Sequence, residues 1–92
     1  MPTLFIPSSL RRYTAGQSKI QVNGGTVGDA IENLEGEYPG VKSRLYDESG
    51  QIKRYVNVFV NEEEIRSLQG ADTPLSDKDE VSIVPAMAGG RG

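Results

Sequence analysis

The side chains that usually carry chemistry are missing from this sequence, and what remains for it lies in the last stretch, Val84-Pro85-Ala86-Met87-Ala88-Gly89-Gly90-Arg91-Gly92. With no His and no Cys, the usual pairs of nucleophile and base and the nitrogen- or sulfur-rich metal sites cannot be assembled. The expectation is no catalytic residue, no metal site and no bound cofactor. Gly89 and Gly90 offer something else. Lacking Cβ atoms, they let a chain pass close to another backbone, enter a narrow channel and adopt dihedrals closed to other residues. A terminus of the form Ala88-Gly89-Gly90 suits delivery into the active site of a different protein. A frayed end has the same composition, so the elements ahead of the tail must decide between the two.

Other candidate sites resolve into structure. Gly24-Gly25-Thr26 ahead of a helix superficially suits phosphate, but the lysine and spacing of a P-loop are missing, and a turn followed by an N-cap accounts for the same residues. The run Glu62-Glu63-Glu64 reads as a solvated turn. Gly89-Gly90-Arg91-Gly92 is too short for an RNA-binding Arg/Gly segment.

The 92 residues fit one domain with a modest core, and 36% apolar with 25% charged residues is an ordinary globular composition. Ten basic against thirteen acidic residues give a net charge of −3, and no basic cluster exceeds Arg11-Arg12, which argues against nucleic acid as a partner. The absence of cysteine is compatible with the cytosol. No apolar run approaches a signal-peptide core or a membrane span, so a cytoplasmic protein without membrane contact is expected.

The elements that must position the tail follow from periodicity. Thr3-Leu4-Phe5-Ile6-Pro7 reads as a first strand, and Ser18 to Asn23 alternates with period two as its hairpin partner. Asn23-Gly24-Gly25 halts that strand. Thr26 is placed to cap a helix in which Asp29 complements the dipole. Val27, Ala30, Ile31, Leu34 and Tyr38 form its apolar stripe, and Pro39-Gly40 stops it. Val41 to Tyr46 predicts a further helical turn. Tyr55 to Val60 is the clearest strand, with Val56, Val58 and Val60 facing the core and Tyr55, Asn57 and Phe59 opposite. Phe59 is therefore a candidate exposed apolar residue for partner docking. Asn61 to Glu64 reads as a turn, Ile65 and Leu68 as a return to the core, and Glu80 to Val84 as the last strand, ended by Pro85. Too few helices remain for a doubly wound sheet, so the fold class is α+β, a β-grasp (ubiquitin-like) roll whose mixed sheet is crossed by one main helix. The first and last strands would then lie parallel, side by side. This gives a domain over 1–85 and a flexible Gly-Gly tail over 86–92.

Tyr55-Val56-Asn57-Val58-Phe59-Val60-Asn61 followed by an acidic turn, and Val81-Ser82-Ile83-Val84-Pro85-Ala86-Met87-Ala88-Gly89-Gly90 at the end, resemble the ThiS/MoaD family of ubiquitin-like sulfur carriers over nearly the whole domain. Within that family, the Pro-Ala-x-Ala-Gly-Gly ending and the Arg-Tyr-Val-Asn-x-x-Val-Asn segment are most similar to the carrier of a bacterial cysteine-biosynthesis route. The resemblance implies a protein co-substrate and no enzyme. Gly90 would be adenylated with ATP by a ubiquitin-activating-type enzyme and converted to a thiocarboxylate, whose sulfur passes to a cysteine-synthase-like acceptor enzyme. The family pattern ends at Gly-Gly, whereas Arg91-Gly92 follow here, so a protease of the zinc-dependent JAMM type is expected to cut between Gly90 and Arg91; a carrier activated at Gly92 and a pseudo-carrier are the other readings of that ending. A ubiquitin-like modifier conjugated through Gly90, a non-catalytic β-grasp interaction module, and acceptor pathways in thiamin, molybdopterin or tRNA sulfuration are the alternatives.

Overall fold

Alternation of valines with larger or polar residues forces the run Val56–Val60 to be a strand buried on one face only, and in the computed structural model, which describes residues 1–85, its burial alternates residue by residue. This strand, β3, is one of five: β1 (Thr3–Phe5), β2 (Lys19–Gln21), β3, β4 (Glu63–Glu64) and β5 (Glu80–Pro85). They form one sheet in the order β2-β1-β5-β3-β4. β1 pairs antiparallel with β2 and parallel with β5, while β3 runs antiparallel to both β5 and β4. The mixed sheet, the parallel contact of first and last strands and the single long helix are those expected of a β-grasp roll.

The helix α1 (Val27–Glu37) begins where Thr26 leaves helical dihedrals and its hydroxyl accepts the Asp29 N–H at 3.1 Å, which satisfies one of the orphan donors of the first turn. It lays Val27, Ala30, Ile31 and Leu34 on the sheet, all fully buried. Against them stand Leu4 and Ile6, Ile20 and Val22, Val56 and Val58, and Val81 and Ile83. Burying each such side chain contributes about 1.5–3 kcal/mol, which offsets the weak intrinsic propensity of a helix containing Gly28 and Gly36. Close approach at the start of α1 requires Gly24, because a Cβ there would lie 2.6 Å from the Ala30 nitrogen. The expected helical turn after Pro39-Gly40 is α2 (Lys42–Leu45), which buries Leu45.

Three local expectations are corrected. Glu63–Glu64 is a two-residue edge strand beside β3, not a turn; the turn is confined to Asn61 and Glu62. Asn61 takes a left-handed φ of 59°, a conformation its side chain supports by accepting the Glu80 N–H and donating to Asp79, each at 3.1 Å. Leu68 does not return to the core with Ile65. The tight 3-10 turn Ile65–Ser67 buries Ile65 at 2% exposure and leaves Leu68 at 38%. Pro85 belongs to β5, opposite Val56. The Asn61 N–H bonds to the Glu80 carbonyl, so the hydrogen-bonded pairs of this ladder fall at Phe59 with Ser82 and at Asn57 with Val84. Pro85 sits at a non-hydrogen-bonded pair with its nitrogen facing the side where β1 has already ended at Phe5, so no ladder bond asks for the missing donor. The segment after β1 is a 3-10 helix, Ser8–Tyr13, held behind by the buried Thr14, whose hydroxyl donates to the Gln17 carbonyl at 2.9 Å. Among the described residues, no helix is long and apolar enough to cross a membrane.

Val58 is fully buried at the centre of β3, opposite Ile83. Val58→Asp places an unpaired charge in the core and is expected to destabilise the fold by more than about 3 kcal/mol. Urea unfolding checks this, and a soluble variant with an unchanged midpoint would show the strand facing to be wrong.

Candidate functional site

Pairing on both sides fixes where β5 ends. β1 accompanies it in parallel as far as Ser82, opposite Phe5, and β3 accompanies it to Pro85, opposite Val56. The last described residue thus sits at the end of the sheet where β1 finishes and β3 starts. The residues expected to carry chemistry or its gating, Ala88, Gly89, Gly90 and Arg91, lie outside the described residues, as does the whole 86–92 tail. The surroundings from which the chain departs can be built from the side chains upward.

On the sheet face away from α1, register places Lys19, Phe5, Ser82, Phe59 and Glu64 in one row across all five strands. Phe59 lies there half-buried, flanked by Ser82 and Glu64, so it is less open than alternation alone suggests. Val84, two residues along β5 from Ser82 and opposite Asn57, is 45% exposed, and Tyr55, just ahead of β3, is 51% exposed. Together these residues give the outer face near the strand end an apolar character. Val84 was readable, since Val81 and Ile83 point inward and period two sends Val84 outward.

Arg66 organises the same corner. Its guanidinium donates to the Lys53 carbonyl at 2.8 Å, the Val56 carbonyl at 3.0 Å and Asn57 Oδ1 at 3.1 Å, and reaches Glu64 at 3.4 Å. The fork thereby ties the chain ahead of β3 to the turn after β4 and sets the edge along which β5 ends. Sequence reasoning missed it for a physical reason: two of its acceptors are backbone carbonyls, which carry no sequence signature.

A groove of about 840 Å³ lies on the flank beneath α1 and α2, lined by Glu32, Glu35, Lys42, Tyr46, Asp47 and Lys53 among others. Several of its charged groups are engaged in structure. The Glu35 carboxylate accepts the Lys42 N–H at 2.7 Å and the Gly40 N–H at 3.0 Å, and these bonds hold its pKa below the usual carboxylate value. Lys42 is raised by its hydrogen-bonded ion pair with Glu32, and Tyr46 is raised by burial. The hydroxyl of Ser49 and the backbone N–H of Gln51 lower Asp47. Among the described residues, no cluster of acidic side chains is suited to hold a metal ion.

The lowered Glu35 value has a defined consequence for stability. A carboxylate whose folded pKa lies below its unfolded value contributes stability above the unfolded pKa and loses it as the pH falls through the folded one. Glu35→Gln is therefore expected to lower stability at neutral pH and to flatten the acid limb below the ordinary carboxylate range. Urea midpoints measured across that range check it; parallel curves for variant and wild type would remove Glu35 from the linkage.

The sequence model of the ThiS family matches residues 5–90. Sulfur carrier protein CysO of Mycobacterium tuberculosis is 43% identical over 90 residues, covering 96% of this chain and 97% of that protein. Small archaeal modifier protein 3 of Haloferax volcanii is 48% identical over 65 residues, covering 71% of this chain and 70% of its own. Among solved structures, a chain of the Amycolatopsis orientalis BexX/CysO complex superposes with a TM-score of 0.91 at 36% identity, over 97% of this chain and 99% of that one.

Proposed function

Since the chain belongs to the ThiS family, and is a homologue of a sulfur carrier protein, we propose that it carries sulfur as a thiocarboxylate on Gly90 and leaves catalysis to its partners. The observation that carries this reading is the extent of the family match, which continues beyond the end of β5 through Gly90 and stops before Arg91-Gly92. The part of the chain common to the family thus includes the tail as well as the folded domain.

The chemistry proceeds in balanced steps. A protease, of JAMM type in this reading, adds water across the Gly90–Arg91 peptide bond, leaving a Gly90 carboxylate. A carboxylate is a poor electrophile, so a ubiquitin-activating-type enzyme joins it to the AMP portion of ATP with release of pyrophosphate. A sulfur donor then attacks the acyl carbon and AMP leaves, giving the thiocarboxylate. Its sulfur is a nucleophile tethered to a protein, which a cysteine-synthase-like enzyme would direct at the β-carbon of an activated serine derivative; the activating group leaves, and hydrolysis of the resulting thioester frees the thiol and returns the Gly90 carboxylate. The likeness to CysO supports that acceptor. Gly89 and Gly90 supply the thin thread these active sites require. Phe59 and its neighbours on the outer sheet face supply the apolar docking surface.

A second reading shares the same activated intermediate. The 48% identity to a small archaeal modifier protein favours conjugation, in which a lysine amine of a target protein attacks Gly90 and forms an isopeptide bond.

Intact mass spectrometry of the protein from its native host tests the reading: a species ending at Gly90 with one terminal oxygen replaced by sulfur is expected. In vitro, Gly90→Phe in a chain ending at that position should slow adenylation by about 100-fold or more, as misplacement of a reacting group does, with the urea midpoint unchanged because the core is built from residues between Leu4 and Ile83. Normal thiocarboxylate formation in that variant would count against Gly90 as the reacting residue. Phe59→Ala should weaken binding to the activating enzyme by about tenfold; an unchanged dissociation constant would take Phe59 out of the interface.

A further inference from the structure

A net charge of −3 conceals a division of charge between the two ends of the sheet. Strand directions assign the loops to one end or the other. Where β5 begins lie Glu62 of the β3–β4 turn and Glu63 at the start of β4, with Asp72, Asp77 and Asp79 on the approach to β5 and Glu80 as its first residue. Asp79 bonds to the Thr3 N–H through its carbonyl at 3.1 Å, and Asp77 holds the N-terminal amine at 3.5 Å. Lys78 is the side-chain cation among them. Where β5 stops, the charges are reversed. Arg11 and Arg12 follow β1, Lys53 and Arg54 precede β3, and Arg66 follows β4. Arg44 joins this group, its guanidinium carbon 4.8 Å from the centre of the Tyr13 ring, on which Arg12 also lies at 5.9 Å.

Arg66 apart, these cations are not committed to ion pairs among the described residues. Among the described residues the pairs are Met1 with Asp77, Lys42 with Glu32 and Arg66 with Glu64. Arg11, Arg12, Arg44, Lys53 and Arg54 therefore take part in none. Arg11 spends one N–H on the Ile6 carbonyl at 3.1 Å, which fixes its base at the end of β1. Glu64 and Glu37 are carboxylates at this end, and Glu32, Glu35, Asp47 and Glu48 line the flank groove, which Lys53 also borders. The result is a basic collar around the point from which the tail leaves, and an acidic pole opposite.

The collar is too far back to take part in the reaction at Gly90. Gly90 is the fifth residue beyond Pro85, and five residues of fully extended chain span about 17 Å. A partner that draws Gly90 into its centre at full stretch meets the collar at the mouth of its channel. Cations at that place act on docking and on the approach, where complementary fields raise association rates and set orientation.

We propose that the basic collar docks on an acidic rim around the tail channel of the adenylating enzyme, and that the acidic pole disfavours encounters in the opposite orientation. The inference rests on the sulfur-carrier reading above for the identity of that enzyme. The observations favour a folded acidic protein surface over a polyanion, because the occupant must admit a peptide thread at the collar's centre while the far pole and the net charge repel an extended chain of phosphates.

The test is the association rate constant of the chain with the adenylating enzyme encoded in the same genome, measured by stopped flow across a series of ionic strengths. Arg12→Glu/Arg54→Glu should reduce the rate at least about tenfold at low salt and flatten its salt dependence. Glu62→Lys/Glu63→Lys, at the far pole, should leave the rate within about threefold of wild type. Equal rates and salt slopes for wild type and collar variant would overturn the proposal. A far-pole variant accelerated as much as the collar variant is slowed would also overturn it, since net charge alone would then account for both. Retention of the wild type, but not of the collar variant, on a single-stranded oligonucleotide or on phosphatidylserine vesicles, with no rate effect on the enzyme, would replace the proposed occupant by a polyanion. Mass spectrometry of the same mixtures separates the two readings: association without any adenylate on a Gly90-ending chain would overturn the carrier function and leave the docking surface standing.

Discussion

Everything in this fold depends on the parallel contact between β1 and β5. Parallel neighbours cannot be joined by a tight turn and need a long crossover, so the segment from the end of β1 to the start of β5 must be accommodated between two strands that touch. Leu4 and Val81 face each other across that contact, both without measurable exposure. Their burial under α1 makes β5 a central strand, with β1 on one side and β3 on the other. A central strand is the best anchored place in the sheet from which to launch a terminal segment. β5 is held by β3 alone from Pro85 back to Ile83 and by both neighbours from Ser82 inward, so tension on the segment beyond Pro85 is resisted first by one ladder and then by two.

That arrangement explains why the architecture was legible in the sequence and where legibility stopped. Val56, Val58 and Val60 announce a one-sided strand, Thr26 announces a helix start and Pro39-Gly40 its end, because each is a local rule of backbone and burial. The errors fall where a neighbour decides. Glu63–Glu64 has the composition of a turn, yet the edge of β3 offers it a ladder. Leu68 has the composition of a core residue, yet the 3-10 turn Ile65–Ser67 spends the available depth on Ile65. Pro85 has no N–H to donate, yet its nitrogen faces the side of β5 along which β1 has already ended, so the position tolerates proline.

The candidate site divides in the same way. The glycines of the tail stand out by elimination, since a chain without His or Cys has few other means of doing chemistry. Phe59 follows from alternation, but its partial cover by Ser82 and Glu64 follows only from register. Arg66 left no trace at all, because Lys53 and Val56 offer it backbone carbonyls, and every residue has one. The charge asymmetry is intermediate. Each Arg and Glu is visible in the sequence, but only strand direction sorts them into two poles, so an overall charge of −3 and short basic runs give no sign of how the cations are grouped.

A chain that carries a reacting group without catalysing anything has to place its specificity outside that group. A glycine carboxyl is chemically anonymous, and the thread leading to it must be thin enough for a channel, which removes the side chains that would otherwise be recognised. Discrimination then falls to the folded surface around the launch point, where an apolar face and a ring of cations lie within reach of the same channel mouth. These two parts act at different stages. Desolvated apolar contacts hold a complex once formed, whereas charges act over about a Debye length and govern how often and in which orientation it forms. On the proposed reading, in which the chain meets an activating enzyme, leaves it and meets an acceptor, fast and oriented encounters serve it better than tight ones. Placing the cations around the exit of β5, with the carboxylates at the opposite pole, is the distribution that such traffic requires.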